Sequence, residues 1–254
     1  MITNRPQWRL IPFLSLPGAE QMAIDAWLLQ DYLPQTGQSI LRFYDWCPAG
    51  ISLGRFQKSW PEEWGELTWQ TQPLDLVKRP TGGRAVLHQG SLTYSLVMPR
   101  GKTKRQALYP CICQFLIHAW QQLGVELIFG DAGRGYIHNP SCFNTSTAAD
   151  LVTHIGSKLI GSAQRQTHTG LLQHGSMVWT ADRHLFAQVF QQPVPWQSNL
   201  ATLTGNLPIS HILPILEAAA AEHFQCELRP QPLTDQEWTA IVPYINEYRV
   251  GKIS

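Results

Sequence analysis

The stretch KRPTGGRAVLHQGSLTYSLVMP, residues 78–99, decides how this chain folds. Pro80 prevents a helix from continuing, and Gly82 with Gly83 supplies backbone freedom for a tight bend. The side chains of residues 92–98 alternate as they do in a strand. The two faces of that strand would carry Leu92, Tyr94, Leu96 and Met98, and Thr93, Ser95 and Val97. We therefore predict a strand, a glycine turn, a short strand, a second turn and a long strand.

Polar side chains lie beside the glycines of this stretch. Arg79, Arg84 and His88 fall between the first and last predicted strands. This arrangement suits a site where a ligand passes close to the main chain, although a β-hairpin with solvated arginines is the simpler interpretation. The stretch contains neither G-x-G-x-x-G nor G-x-x-x-x-G-K-[ST], so the sequence does not support a Rossmann or P-loop nucleotide site.

Length and composition are those of an ordinary globular protein. The 254 residues suffice for one large or two small domains with a full hydrophobic core. The 19 basic and 18 acidic residues give a net charge of +1, which disfavours a nucleic-acid-binding function. No apolar run reaches the roughly 18 residues of a membrane-spanning helix, so we expect no membrane association.

The five cysteines do not form the pattern of a disulfide framework. An odd number in a chain of this length favours reduced thiols, and hence a cytoplasmic protein. Cys111 and Cys113 fall in a predicted helix without a second Cys or His pair at zinc spacing, so we interpret them as structural thiols. We expect no metal site.

The remaining elements alternate between strands and helices. Strands are predicted at 8–16 (an edge strand), 40–44, 51–53, 125–129, 151–155, 158–164 and 171–179. Helices are predicted at 18–33, 106–123, 181–190, 210–224 and 235–248, with starts at Ser59-x-x-Glu62 (a short helix), Ser210 and Thr234-x-x-Glu237. A long loop covers 130–146. The pattern predicts one α+β domain over residues 1–254, with a mixed, largely antiparallel sheet flanked by helices and no accessory domain.

Two further stretches contain reactive residue types. NPSCF, residues 139–143, lies in the long loop, and KLIGSAQ, residues 158–164, precedes QHGS at 173–176. Taken singly, Cys142 is more often an incidental thiol than a nucleophile. Lys158 would be a solvated lysine at a strand end, and His174 a core or edge histidine.

Together these motifs resemble the cofactor-transferase family of lipoate ligases, octanoyltransferases and biotin protein ligases. The glycine stretch is similar to the family segment R-R-x-[ST]-G-G-x-A-V-x-H, with Lys78 in place of the first arginine. Further similar segments are GAEQMAID (18–25), LRFYDW (41–46), SLGRFQ (52–57), KLIGSAQ and QHGS. The resemblance covers roughly residues 15–180 and implies the catalytic-domain fold of biotin/lipoate protein ligases.

Within that family, Cys142 indicates the branch. The Gram-positive type of octanoyltransferase carries its cysteine in a Cys-Phe pair ahead of the lysine hairpin. Cys142-Phe143 is such a pair in this chain, and it resembles that type. The other octanoyltransferase type has the cysteine after the lysine, and none occurs here between Lys158 and Cys226. ATP-dependent lipoate ligases need no cysteine nucleophile.

The resemblance implies a mechanism through a covalent intermediate. The Cys142 thiolate would attack the thioester of octanoyl-acyl carrier protein, and a lysine amine of a lipoyl domain would then attack the octanoyl-enzyme. The acceptor would be an E2 subunit of a 2-oxoacid dehydrogenase or the glycine cleavage H protein. Lys158 would lower the thiol pKa, stabilise the oxyanion or move the proton. No ATP, metal or other cofactor is required, and we expect a monomer.

The resemblance also implies which residues bind the acyl group. Gly82, Gly83 and Ala85 would form the wall of an acyl tunnel, and Arg79 and His88 would close its polar end. The other residues expected to bind substrate are Gly161, Ser162, Ala163, His174 and Gly175.

Several alternatives stay open. An octanoyl amidotransferase acting between lipoyl-domain proteins would use the same cysteine chemistry. In an ATP-dependent lipoate-protein ligase, with ATP and Mg²⁺, Cys142 would be incidental. A non-enzymatic acyl-binding protein would bind the chain without turnover. Biotin ligation is disfavoured because no G-R-G-R-x-G pattern occurs.

Overall fold

The fold is built on one large sheet with helices on both faces. The computed structural model describes residues 5–101, 105–130 and 150–250. Eight strands form the main sheet in the order β13-β1-β2-β8-β12-β11-β10-β9, and β6-β3-β7 form a second sheet. The strands are β1 Gln7–Leu16, β2 Ile40–Trp46, β3 Gly50–Leu53, β4 Thr68–Trp69, β5 Gln72–Pro73, β6 Asp75–Lys78, β7 Val86–His88, β8 Ser91–Pro99, β9 Ile128–Phe129, β10 Leu151–Val152, β11 Lys158–Gln166, β12 Gly170–Val178 and β13 Glu227–Pro230. The predicted α+β class with a mixed sheet is confirmed.

Strand β8 lies in the middle of the main sheet and buries both faces. It pairs antiparallel with β2 on one side and β12 on the other. Leu92, Tyr94 and Leu96 belong to one hydrophobic core, whereas Val97 belongs to a second core on the opposite face. The predicted alternation is therefore confirmed, and it separates the two cores of the molecule.

The first strand does not lie at an edge of the sheet, so the prediction of an edge strand at residues 8–16 was wrong. β1 pairs in parallel with β2 and also with β13, which comes from the C-terminal part of the chain. A strand contributed from more than 200 residues away leaves no local trace in the sequence around residues 8–16.

The glycine stretch contains the predicted strands, but its first two strands do not pair with each other. β6 pairs in parallel with β3, and β7 pairs antiparallel with the other side of β3. β8 enters the main sheet instead. β3 is thus the centre of the small sheet, so β2 and β3, although consecutive, belong to different sheets.

The helices follow the predicted order. They are α1 Gly18–Trp27, α2 Leu33–Thr36, α3 Arg105–Gln122, α4 Arg183–Phe190, α5 Leu200–Leu203, α6 Ile209–His223 and α7 Asp235–Tyr248. The predicted helix at 18–33 contains a π-helical turn, Leu28–Tyr32, between α1 and α2. Thr234 and Glu237 form the predicted capping box.

Two predicted helix starts were wrong. The short helix near Ser59 is a 3₁₀ turn, Glu62–Gly65, and Pro61 rather than Ser59 precedes it. Pro208, not Ser210, is the N-cap of α6. In both places the fixed φ of proline, near −65°, sets the start in place of a side-chain cap.

The described part of the chain contains no helix that is both long and apolar enough to cross a membrane. Cys47, Cys111, Cys113 and Cys226 are free thiols. Cys142 and the rest of NPSCF lie outside the described residues.

Candidate active site

A cavity of about 350 Å³ opens between the main sheet, helix α1 and the small sheet. It collects most of the residues expected to bind substrate. Those that line it are Arg79, Gly82, Gly83, His88, Gly161, Ser162, Ala163, His174 and Gly175. Ala85 is fully buried in the core behind the glycine turn instead, so the structure does not place it on the cavity wall.

The floor of the cavity is a row of residues that runs across four strands. Gly161 of β11 pairs with Ser176 of β12, which pairs with Thr93 of β8, which pairs with Tyr44 of β2. Three inter-strand steps span about 14 Å at the usual spacing of about 4.8 Å. Three of the four side chains are small, and this leaves a groove over the sheet.

Lys158 enters the site at a β-bulge. The pairing of β10 with β11 shifts register between Leu151 and Val152, the residues opposite Ile160 and Lys158. Bulges of this kind redirect a side chain and recur beside active sites. A Cβ atom added to Gly161 would lie 3.0 Å from Lys158 Cε and 3.3 Å from Nζ, so the lysine lies over the bare glycine.

Lys158 is buried and paired with a carboxylate, contrary to the interpretation of it as a solvated lysine. Its Nζ lies 3.0 Å from Asp150 Oδ2, and the two side chains are 3% and 4% exposed. Removing both charges from water is costly, and this geometry compensates through their attraction. Asp150 also lines the cavity, so a charged pair borders it.

Arg79 holds the main chain of the glycine turn in place through hydrogen bonds. Its guanidinium donates to the carbonyl oxygens of Ser52 at 2.9 Å, Gly82 at 2.8 Å and Arg84 at 2.7 Å. The planar fork of donors suits several acceptors at fixed positions. Arg79 therefore borders the cavity as predicted, but it also holds the main chain of the turn in place.

The turn approaches a second glycine. A Cβ atom added to Gly54 would lie 1.8 Å from the carbonyl oxygen of Gly83, a contact that no side chain tolerates. The amide of Arg55 also donates to the carbonyl of Thr81. Gly54 is thus required because two backbone segments meet at the edge of the cavity.

His88 contributes a neutral ring to the cavity wall. The ring stacks on Trp46 with centroids 3.8 Å apart and planes 4° apart, and Nε2 lies 2.9 Å from Ser52 Oγ. Burial lowers the pKa of His88 well below its ordinary value, and the nearby Arg79 charge adds to this effect. Its Nδ1 has no hydrogen-bond partner in the described part of the protein.

His174 belongs to a buried polar network that sequence reasoning missed. Its Nδ1 lies 2.8 Å from Asp25 Oδ2, and its Nε2 lies 2.7 Å from Thr81 Oγ1. Arg42 Nε lies 3.4 Å from Asp25 Oδ1. Burial raises the pKa of Asp25, but the Arg42 charge and the His174 contact outweigh it and hold that pKa below its ordinary value. An acidic residue inside an otherwise apolar helix segment was the available signal.

A second polar network lies on the α3 side of the sheet. Gln164 Nε2 donates to Gln173 Oε1 at 2.6 Å, and Gln173 Nε2 donates to Tyr94 Oη at 2.7 Å and to Cys113 Sγ at 3.2 Å. Tyr94 Oη lies 2.7 Å from Ser162 Oγ. Of this network only Ser162 was predicted, because the contacts depend on strand register.

No cluster of three or more His, Cys, Asp or Glu side chains suited to a metal ion occurs among residues 5–101, 105–130 and 150–250. Cys142, the predicted nucleophile, lies outside these ranges.

Comparison with known proteins gives the family. Residues 17–212 match the family described as "Lipoyl protein ligase A/B catalytic domain". Octanoyltransferase LipM of Carboxydothermus hydrogenoformans is 39% identical over 179 residues, which cover 69% of this chain and 66% of that protein. Octanoyltransferase LipM of Brevibacillus brevis is 31% identical over 255 residues, covering 91% of this chain and 92% of the relative.

Solved structures show the same fold. Protein Ta0514 of T. acidophilum with bound lipoic acid has a TM-score of 0.77 at 17% identity, with 95% of each chain covered. Lipoate-protein ligase A bound with ATP also has a TM-score of 0.77, at 19% identity and the same coverage. The fold expected from the resemblance is confirmed, and the chain belongs to the lipoyl protein ligase A/B catalytic-domain family.

Proposed function

We propose that this acyltransferase moves an octanoyl group from octanoyl-acyl carrier protein to a lysine of a lipoyl domain, through a thioester on Cys142. The single observation that carries the proposal is the cavity bordered by the buried Lys158–Asp150 pair. Octanoyltransferases at 31–39% identity support the acyl group and the reaction type. The proposed unit is one catalytic domain over residues 1–254.

The cavity suits a short, unbranched acyl chain. An extended octanoyl chain is about 9 Å long, given C–C bonds of about 1.5 Å. The floor from Gly161 to Tyr44 spans about 14 Å. A chain of this length would lie across the sheet between β11 and β2. Its carbonyl would remain near Lys158, and its methyl end would approach the ring of His88. This orientation reverses the expectation that Arg79 and His88 close the polar end of the tunnel, because Arg79 donates to main-chain carbonyls and burial lowers the pKa of His88.

The chemistry requires a thiolate, an oxyanion stabiliser and a route for one proton. In the first step Cys142 Sγ forms a bond to the acyl carbon, and the phosphopantetheine thiol of the carrier leaves with a proton. In the second step the acceptor amine forms the amide, loses its proton and releases Cys142 as a thiol. The Lys158 ammonium, held by Asp150, is the charge that supports the thiolate and the oxyanion.

The donor distinguishes this function from its closest alternatives. An amidotransferase would accept octanoyl only from an already modified lipoyl-type protein. A ligase would need octanoate or lipoate with ATP and Mg²⁺. The ATP-bound structure of lipoate-protein ligase A shares the fold at 19% identity, which supports the fold and not the donor.

The test is a transfer assay with three donors offered in parallel. Octanoyl-acyl carrier protein without ATP, octanoyl-H protein without ATP, and octanoate with ATP and Mg²⁺ are each mixed with a lipoyl domain of an E2 subunit. We expect octanoylation from the carrier protein alone. Transfer confined to the second or third mixture would replace this proposal by the amidotransferase or the ligase. Cytoplasmic location and a monomeric state stay predictions.

A further inference from the structure

The glycine turn and the main sheet lie on opposite sides of the cavity. Gly82 and Gly83 line it from the side of the small sheet, and His174 lines it from β12 of the main sheet. The hydrogen bonds that Arg79 donates to carbonyl oxygens lie within β3 and the turn. These bonds fix the shape of the turn, but they do not fix its distance from the main sheet.

Thr81 connects the turn to the main sheet. Its Oγ1 lies 2.7 Å from His174 Nε2, and the two residues are 1% and 5% exposed. The main-chain carbonyl of Thr81 accepts a hydrogen bond from the amide of Arg55 at 2.8 Å, which fixes its backbone to the segment after β3. Thr81 therefore joins the two sides of the cavity, because its main chain is bound on one side and its hydroxyl on the other.

Asp25 of α1 fixes the ring of His174. The Nδ1 of His174 lies 2.8 Å from Asp25 Oδ2, and Tyr44 Oη donates to the same oxygen at 3.2 Å. Arg42 Nε lies 3.4 Å from the other carboxylate oxygen. Because the lowered pKa of Asp25 keeps this carboxyl ionised, Nδ1 carries the proton of the neutral ring, and Nε2 accepts from the Thr81 hydroxyl. The hydrogen bonds thus run from α1 through β12 to the glycine turn.

The Thr81–His174 hydrogen bond lies beside the middle of the proposed acyl path. His174 is two residues from Ser176 on the same face of β12, and Ser176 is the second of the four residues that form the cavity floor. Two residues along a strand span about 7 Å. An acyl chain that crosses Ser176 would therefore run close to this hydrogen bond, between the sheet and the turn.

We propose that the Thr81–His174 hydrogen bond sets the separation between the glycine turn and the main sheet, and that this separation makes the cavity selective for unbranched acyl chains. The inference rests on the proposed function, because it needs an acyl donor in the cavity. A wider cavity would leave His174 Nε2 buried without a partner, and this costs free energy. Thr81 is thus a positioning residue that acts through His174 and takes no part in bond formation.

The test compares two donors, octanoyl-acyl carrier protein and 4-methyloctanoyl-acyl carrier protein, in the transfer assay. Wild type should prefer the unbranched donor by about 50-fold in kcat/KM, within the range for one misplaced carbon in an apolar pocket. Thr81→Val keeps the shape of the side chain but loses the hydroxyl, and it should reduce this preference to about fivefold, because the turn is then free to move away from the sheet. Thr81→Ser keeps the hydroxyl and should keep the wild-type preference.

Thr204→Val is the matched control. The buried hydroxyl of Thr204 donates to the carbonyl oxygens of Leu200 and Ala201, at 3.0 Å each, and Thr204 does not line the cavity. This variant also loses a buried threonine hydroxyl, and it should keep the wild-type preference even where it lowers the free energy of unfolding. Thr81→Ala removes the Thr81 hydroxyl with less bulk and replaces Thr81→Val in the assay if that variant does not fold.

An unchanged preference in a folded Thr81→Val or Thr81→Ala enzyme would overturn the inference and leave the proposed function intact. The same conclusion would follow if Thr204→Val lost the preference equally, or if wild type used both donors at the same rate. A wild-type enzyme without transfer from octanoyl-acyl carrier protein would overturn the proposed function, and the inference with it.

Discussion

The two sides of the cavity differ in charge. On the β11 side, Lys158 and Asp150 form an ion pair that is almost fully buried. On the β2 side, His88 stacks on Trp46, and burial keeps its pKa well below the ordinary value, so the ring is neutral. The ion pair borders the end where a carbonyl would react. The His88 ring borders the end where a hydrocarbon chain would stop, and the Arg79 guanidinium near that ring donates to main-chain carbonyls.

The largest effect is expected on the charged side. Lys158→Met should lower the transfer rate at least about 100-fold, because the ammonium that supports the thiolate and the oxyanion is lost. The substitution also breaks the buried ion pair with Asp150, so the free energy of unfolding should fall by about 3 kcal/mol. Transfer assays and urea unfolding measure the two effects.

The double variant Lys158→Met with Asp150→Asn is the matched control for that prediction. Removing both charges should restore much of the stability and none of the activity. If activity returned together with stability, Lys158 would be a structural residue.

Arg79, which holds the main chain of the glycine turn, should be the next most sensitive residue. Arg79→Lys removes a fork of donors that reaches three carbonyls, and an ammonium cannot reproduce it. We expect a loss of about 2 kcal/mol in the free energy of unfolding, since buried carbonyls lose their donors, together with a raised KM for the acyl donor. Wild-type stability in Arg79→Lys would show that the charge alone matters.

A smaller effect should follow from displacing Lys158 without removing it. In Gly161→Ala the new methyl would lie 3.0 Å from Lys158 Cε, so the lysine must shift by a few tenths of an ångström. We expect kcat to fall about tenfold with little change in stability, because misplacement of a catalytic group is costly. Gly65→Ala is the control, because nothing lies within 4 Å of the added atom. It should change neither kcat nor the free energy of unfolding.

The smallest effect concerns the neutral side and its dependence on pH. The folded-state pKa of His88 is lowered, so below about pH 6.5 the unfolded chain binds a proton that the folded protein does not. This histidine therefore contributes stability that is present above about pH 6.5 and is lost as the pH falls toward the folded pKa. The slope from this group is at most about 1.4 kcal/mol per pH unit.

Urea unfolding as a function of pH checks that contribution. His88→Asn should unfold with a shallower dependence on pH below 6.5 than wild type does. His168→Asn, at an exposed residue in the turn between β11 and β12, should leave the pH dependence unchanged. Equal slopes in wild type and His88→Asn would mean that His88 is protonated in the folded protein.

The sequence predicted the parts of the fold that depend on local pattern. The alternation along residues 92–98 identified a strand that divides two cores, and Gly82, Gly83 and His174, which were predicted to share one site, line one cavity. These residues are recognisable because glycine turns and period-two alternation act over a few positions.

The features that were missed depend on pairing between distant segments. β1 became an interior strand only because β13 pairs with it, and Tyr94 reaches Ser162 only through the register of β8, β12 and β11. Asp25 meets His174 across 149 positions. A single sequence gives residue types at these positions, and the fold decides which of them touch.

The proposed transfer depends most on the octanoyl-thioester at Cys142. Wild type, Cys142→Ala and Lys158→Met would each be mixed with octanoyl-acyl carrier protein without ATP, and their intact masses measured before and after a lipoyl domain is added. We predict an octanoyl adduct on wild type that disappears as the lipoyl domain gains the same mass, and no adduct on Cys142→Ala. An adduct that persists in Cys142→Ala, or a modified lipoyl domain formed by Cys142→Ala at the wild-type rate, would contradict the proposed Cys142 thioester.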